Sequence, residues 1–407
     1  MAISLLLFSL GLGLARGAEE YSDSFRLAGQ MTKFGLYGLT LVMLAMAPLR
    51  HKRNAYLASF WLLWSYIQWA RWLPVLDLSY PVYYHDFYGN VAETICPISL
   101  DTSQGRAIDQ HSFTLYCAHR SLFVLNGVDM LILLAATLVL TLAAVFLGAG
   151  TQEGMLASLK TEAKYSLLFR GVSMTSQDLT IYAIIQMQYA DFGDALSIFS
   201  IALAGLCLIL QVIYLFYVPM LIHLSHGLVC AGLPPSFCST LVDDFRPGLR
   251  RYAYHYESIQ QIKRLAGALV LVLLWRFVRV QVALLAALEG GVGGYVLLAR
   301  PFNRGLETVL TCYMHVAVLC LLAIQSLYWT SISPTSLCIA SILAFWSGLV
   351  AAMLRYFLTF KQTSATAHLA PSPQQDTGDS LVITQVKSQL PNEPYHSALV
   401  STVGSRM

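Results

Sequence analysis

Between Met130 and Gly148 the chain reads MLILLAATLVLTLAAVFLG, and between Leu196 and Val218 it reads LSIFSIALAGLCLILQVIYLFYV. Neither run contains a charged residue, and each is long enough to cross a hydrocarbon core of ~30 Å as a helix. No other feature constrains the fold as much. Inside lipid every backbone amide must find its partner within the chain, so such runs become helices in a bundle. Composition extends the argument to the whole chain. With 57% hydrophobic and 12% charged residues and a mean hydropathy of +0.60, a chain of 407 residues has too little polar surface to cover a water-soluble particle. The formal net charge of +3 is carried by short basic clusters between apolar runs, which argues against nucleic-acid binding. The predicted class is all-α: a polytopic helical membrane protein with the lipid bilayer as its solvent.

Hydropathy at span length places about nine segments, near residues 31–49, 55–72, 123–147, 169–189, 196–221, 265–280, 281–299, 308–328 and 337–358. Residues 1–17 precede them as a signal peptide, with an apolar core from Ile3 to Leu14 too short to span, then small residues and Glu19–Glu20. Cleavage is expected after Ala15 or Gly17, with an uncleaved anchor as the alternative. An odd number of spans puts the mature N-terminus outside and the C-terminus in the cytosol. The basic residues agree, since Arg50, Lys52, Arg53, Arg250, Arg251 and Arg304 are among many in the predicted cytosolic segments and the outer segments hold fewer. Residues 18–72 then hold two spans, 73–120 a luminal or extracellular loop, 121–360 the rest of the bundle, and 361–407 a disordered cytosolic tail. That tail is rich in Ser, Thr, Gln and Pro, too polar for burial to offset the entropy of ordering. The expected location is the plasma membrane or the endomembrane system.

The outer loop carries Cys96 and Cys117, its only cysteines. In an oxidising compartment they are expected to pair, stabilising the loop by about 3 kcal/mol; two unpaired thiols are the alternative. The same loop holds SYPVYYHDFYGN, read as part of a small ordered cap. In the fourth segment Thr175, Asp178, Tyr182, Gln186 and Tyr189 share one helical face. Such a stripe either lines a pathway or forms a hydrogen-bonded seam between helices. In the seventh, Glu289 stands near mid-membrane beside Gly290, Gly291, Gly293 and Gly294. A buried carboxylate there marks a functional site, or else pairs with Arg276 or Arg279. His223, His226, Cys230 and Cys238 are zinc-type ligands at a spacing that matches no closed structural site. Neither a metal nor a cofactor is expected, and without a nucleophile–base set, phosphate loop or H-E-x-x-H the chain is not read as an enzyme.

Tyr252, Tyr256, Ile259 and Lys263 recur at helical spacing within LVDDFRPGLRRYAYHYESIQQIKR, predicting an amphipathic helix along the inner leaflet before the sixth segment. Here the chain resembles a known family. The DDFR motif, Lys263–Arg264 entering a span, Gln281 opening the next and LLARPFNRGLE closing it are similar to the polytopic region of TRP-like membrane proteins of fungi and protists. The resemblance covers roughly residues 160–360, and Arg300, Pro301, Phe302 and Glu307 look like that family's turn between its last spans. It implies an ion channel or transporter; the leading reading is one that passes a cation, with Glu289, Asp178, Tyr182 and Gln186, taken from the residues themselves, lining the path. The runner-up is a seven-helix-type receptor or membrane scaffold. Expected partners are the bilayer, a cation and cytosolic proteins held by the C-terminal tail, with oligomers allowed.

Overall fold

The computed structural model describes residues 18–46, 53–76, 78, 80, 82–92, 106–108, 113, 121–146, 167–230, 255–302, 305–330 and 332–369. The chain divides into two compact units, Met1–Thr363 and Ser364–Met407, and the fold below is that of the first. Among the described residues the regular elements are helical: α1 (Ala18–Met46), α2 (Arg53–Trp72), α3 (Val82–Ala92), α4 (Val128–Phe146), α5 (Leu168–Gln188), α6 (Ala195–Cys230), α7 (Tyr256–Leu273), α8 (Val278–Ala299), α9 (Gly305–Leu327) and α10 (Pro334–Leu369). Short helical turns at Leu73–Val75 and Phe123–Asn126 connect them.

Among the described residues five helices are long and apolar enough to cross a membrane: Val128–Phe146, Ala195–His223, Val278–Ala299, Gly305–Leu327 and Pro334–Leu358. Their outward faces carry large apolar side chains such as Val139, Phe146, Phe216, Leu298 and Val309. Water would penalise that surface and lipid accepts it.

A helix rich in polar residues sits deep in the bundle. α5 packs against α2, α4, α6 and α7, and nearly every residue from Gly171 to Gln186 is buried. Surrounded by protein on all sides, it can hold Ser, Thr, Gln and Asp because neighbouring helices, not lipid, receive their hydrogen bonds.

Several expectations are revised. The sixth segment is displaced: α7 begins at Tyr256 and ends at Leu273, so the predicted interfacial helix and the predicted span 265–280 are largely one helix. Its moment points the other way from a surface helix. Ser258, Gln261, Lys263 and Arg264 face the interior while Ile262, Leu269 and Leu273 face out, because polar groups facing lipid would leave hydrogen bonds unmade. The helix stops where Phe277 N–H donates to Leu274 O at 2.8 Å, around Trp275 and Arg276, residues that a span has little reason to bury.

The Tyr-rich loop segment is ordered as a helix packed on its neighbours. As α3 it lies against α1 and α2, with Tyr84, Phe87 and Tyr88 buried. The Tyr80 and Tyr84 rings stack at 4.3 Å, and Gln325 on α9 donates its amide to the Tyr84 hydroxyl. α10 runs to Leu369, past the predicted start of the tail at 361, since extending a formed helix through Lys361, Gln362, Ala365 and Ala367 needs no new nucleus. Residues 1–17, 370–407, Cys96 and Cys117 lie outside the described residues.

Candidate functional site

Three helices bring ionisable groups to one point. Glu289, near the middle of α8 and 1% exposed, accepts from Lys263 Nζ of α7 through Oε2 at 2.7 Å. Its other oxygen, Oε1, stands 2.6 Å from Nδ1 of His315 on α9. The expected partners Arg276 and Arg279 are elsewhere, their guanidinium groups over the rings of Trp275 and Trp329. The physical reason is where α7 ends: the turn before α8 carries Arg276 away from mid-helix, and Lys263, a little over two turns into α7, takes its place.

The surroundings fit the group closely. Lys263 Nζ lies 4.7 Å from the Trp69 ring centroid on α2, a favourable cation–π distance. Gly293, one turn after Glu289, is set so that a Cβ would stand 3.2 Å from His315 Cβ, and this lets α8 and α9 approach closely. Beside the triad is a cavity of about 30 Å³ lined by Ser65, Tyr66, Gln177, Arg264, Thr311 and Val318, among others. Since one water needs about 10–15 Å³, it has room for two or three.

A second network continues from the cavity wall. Arg264 donates to Ser65 Oγ at 2.7 Å and to Glu257 Oε1 at 3.1 Å. Glu257 also accepts from Ser173 Oγ at 2.8 Å and from Gln261 at 3.1 Å, and Ser173 lies 3.0 Å from the Tyr214 hydroxyl. This fastens α7 to α2, α5 and α6.

The α5 stripe is a seam. Asp178 accepts from the Trp72 indole N–H and from Gln68 Nε2, the latter at 2.9 Å. Tyr182 packs edge-on to Trp72 at 5.5 Å. Gln186 Oε1 accepts from Phe123 N–H at 2.8 Å and Ser200 Oγ at 2.7 Å. None of these three residues lines the cavity at Glu289; the α5 residue that does is Gln177, which the stripe pattern missed because it lies on the other side of the helix.

The turn after α8 is built around a left-handed residue. Arg300 has φ 44° and ψ 57° and caps the helix through its N–H to Val296 O at 3.0 Å. Pro301 follows, and Phe302 is buried edge-on to Tyr256 at 5.2 Å and 4.2 Å beneath the Arg355 guanidinium. Glu307 sits in the first turn of α9, where the helix dipole favours a carboxylate. Compared with family models, curated proteins and solved structures, the chain matches none.

Among the described residues no group of three or more His, Cys, Asp or Glu is placed to hold a metal. Of the zinc-type set only His223 is described to the side chain, and it lies near His255, whose imidazole is held below its ordinary value by burial and then by His223. His226, Cys230 and Cys238 fall outside what is described of side chains.

Proposed function

We propose that the chain is a polytopic transport protein of about nine spans, passing a monovalent cation, the proton included, along a path that reaches Glu289. One observation carries this reading: a Lys263–Glu289–His315 group buried in mid-helix beside a polar cavity. Burying ions in a membrane is expensive, and well-packed apolar residues would join the helices at least as firmly. Ionisable groups at that depth belong to ion and proton pathways more often than to scaffolding.

The span count is supported by length. α1, α2, α5 and α7, with 29, 20, 21 and 18 residues, each reach about 27 Å or more at 1.5 Å per residue. Their polar side chains are tolerable because so many face protein. Likeness to TRP-like proteins is part of this reading and rests on the turn at Arg300, Pro301, Phe302 and Glu307. The alternative, a seven-helix-type receptor or membrane scaffold, is favoured by the α5 seam, where Asp178 and Gln186 are already engaged by neighbouring helices.

The test is cation flux in vesicles holding the purified protein, beside the double variant Lys263→Met/Glu289→Gln, which removes both charges and strands neither. The variant should fold and lose flux. Undiminished flux in it, or a folded wild-type protein that carries no cation, would favour the receptor or scaffold.

A further inference from the structure

We infer that the cation handled at this site is the proton, taken from the cavity by His315 and delivered to Glu289; this rests on the transport reading above. The two cations beside the cavity, with the engaged oxygens around it, argue against a metal ion. Both Glu289 oxygens are engaged. Thr311 Oγ1 accepts from Arg355 and donates to Glu307 O, Ser65 accepts from Arg264, and the Tyr66 hydroxyl is bound to Phe345 O at 2.8 Å. A sodium or potassium ion needs several free oxygens at once, and here it would also meet the ammonium of Lys263 and the guanidinium of Arg264. A proton needs one lone pair.

His315 offers that lone pair. An ionised carboxylate only accepts, so the Nδ1 beside Glu289 carries the ring proton and Nε2 is the basic nitrogen. His315 is 5% exposed, lines the cavity, and its Nε2 is buried with no hydrogen-bond partner. The Gln177 amide nitrogen, on another wall of the same cavity, is likewise buried without a partner. Two unmatched polar atoms around a volume fit for two or three waters are what a water-borne proton entry requires. The charged and titratable groups facing His315 are Glu289 on α8, Lys263 and Arg264 on α7, Tyr66 on α2, and Arg355 on α10, which reaches Thr311.

The step balances. A hydronium in the cavity gives its proton to Nε2, forming an N–H bond as an O–H bond breaks. The Nδ1 proton passes to Glu289 Oε1, leaving a neutral imidazole protonated at Nε2 and a neutral carboxyl group. No electron is transferred beyond the shifting bond pairs, and reversal returns the proton to water. Neutralising Glu289 dissolves its ion pair with Lys263, the charge contact that ties α7 to α8, and leaves the ammonium against Trp69.

Two measurements on the full-length protein in vesicles test this. The first is proton uptake under an imposed potassium diffusion potential, read with an internal pH dye, together with sodium and potassium flux. His315→Gln keeps a side-chain N–H for Glu289 but lacks a basic nitrogen, and should lower proton uptake by about 10²-fold, the lower end of what a positioned proton carrier contributes. The second needs no transport: an infrared pH titration should show a protonated carboxyl carbonyl band in wild type that is absent from Lys263→Met/Glu289→Gln. Sodium or potassium flux without proton movement and without that band overturns the proton assignment and leaves the transport reading standing. The band without flux of any cation upholds proton exchange here and overturns transport. Proton uptake unchanged in His315→Gln refutes the role of His315.

Discussion

Gly267 of α7 faces Trp69 of α2 at the wall that supports Lys263. A Cβ at Gly267 would stand closer than 3.0 Å to two carbons of the indole ring, where apolar carbons settle at about 3.5–4.0 Å. The indole cannot swing into solvent, since Trp69 is 2% exposed. Either α7 and α2 part, or the ring leaves its rotamer. Overpacking of this kind costs about 1–3 kcal/mol. Gly290 on α8 supplies the control, because a Cβ there meets nothing within 4 Å and alanine in a helix interior gains about 0.5–1 kcal/mol over glycine. Gly267→Ala and Gly290→Ala should therefore differ by about 1.5–4 kcal/mol. Thermal unfolding of the detergent-solubilised protein measures the difference: the midpoint falls by several degrees in Gly267→Ala and holds or rises in Gly290→Ala. Adding Trp69→Phe to Gly267→Ala removes the distal ring carbons and should recover part of the loss. Equal midpoints for the two single variants, or no recovery in the double, would refute the packing argument.

Arg300→Gly should raise stability by about 1 kcal/mol, since φ 44° is costly for any residue with a Cβ and free for glycine, whereas Arg300→Val should lower it; the same melting assay checks both. Asp178→Leu takes the acceptor from the Trp72 indole N–H, at about 1–3 kcal/mol, and one of two acceptors from Gln68 Nε2, which keeps Met174 O, so folded protein recovered by size exclusion should drop, and less so for Asp178→Asn, which keeps one acceptor. A tag after Met407 should be cleaved by protease only from the cytosolic side, and labelling it on intact cells would contradict the odd span count. Alkylation with and without reductant should find Cys96 and Cys117 protected until reduction, and equal labelling without reductant would remove the disulfide.

How much of this was legible depends on which solvent each helix meets. α4, α6, α8, α9 and α10 face lipid for much of their surface, so their sequences must be apolar, and hydropathy finds them. α5 and α7 face protein, and what makes them interior, a polar stripe with partners on other helices, is the same feature that blurs their hydropathy. The partners of Glu289 were illegible for a related reason. Helical periodicity relates neighbours three or four positions apart, whereas Lys263 and His315 are each 26 positions from Glu289. A signal did exist for Lys263. Trp275, Arg276 and Arg279 sit poorly inside a span at 265–280, and ending the helix before them slides its start back to the tyrosines. With that shift Lys263 moves from the membrane surface to mid-helix, level with the carboxylate. A lysine at mid-depth then demands an acid, and Glu289 is the buried acid of the following helix. The depth at which a helix ends thus decides whether its lysine snorkels to water or enters an ion pair, and here the end is set by a short turn rather than by the apolar run.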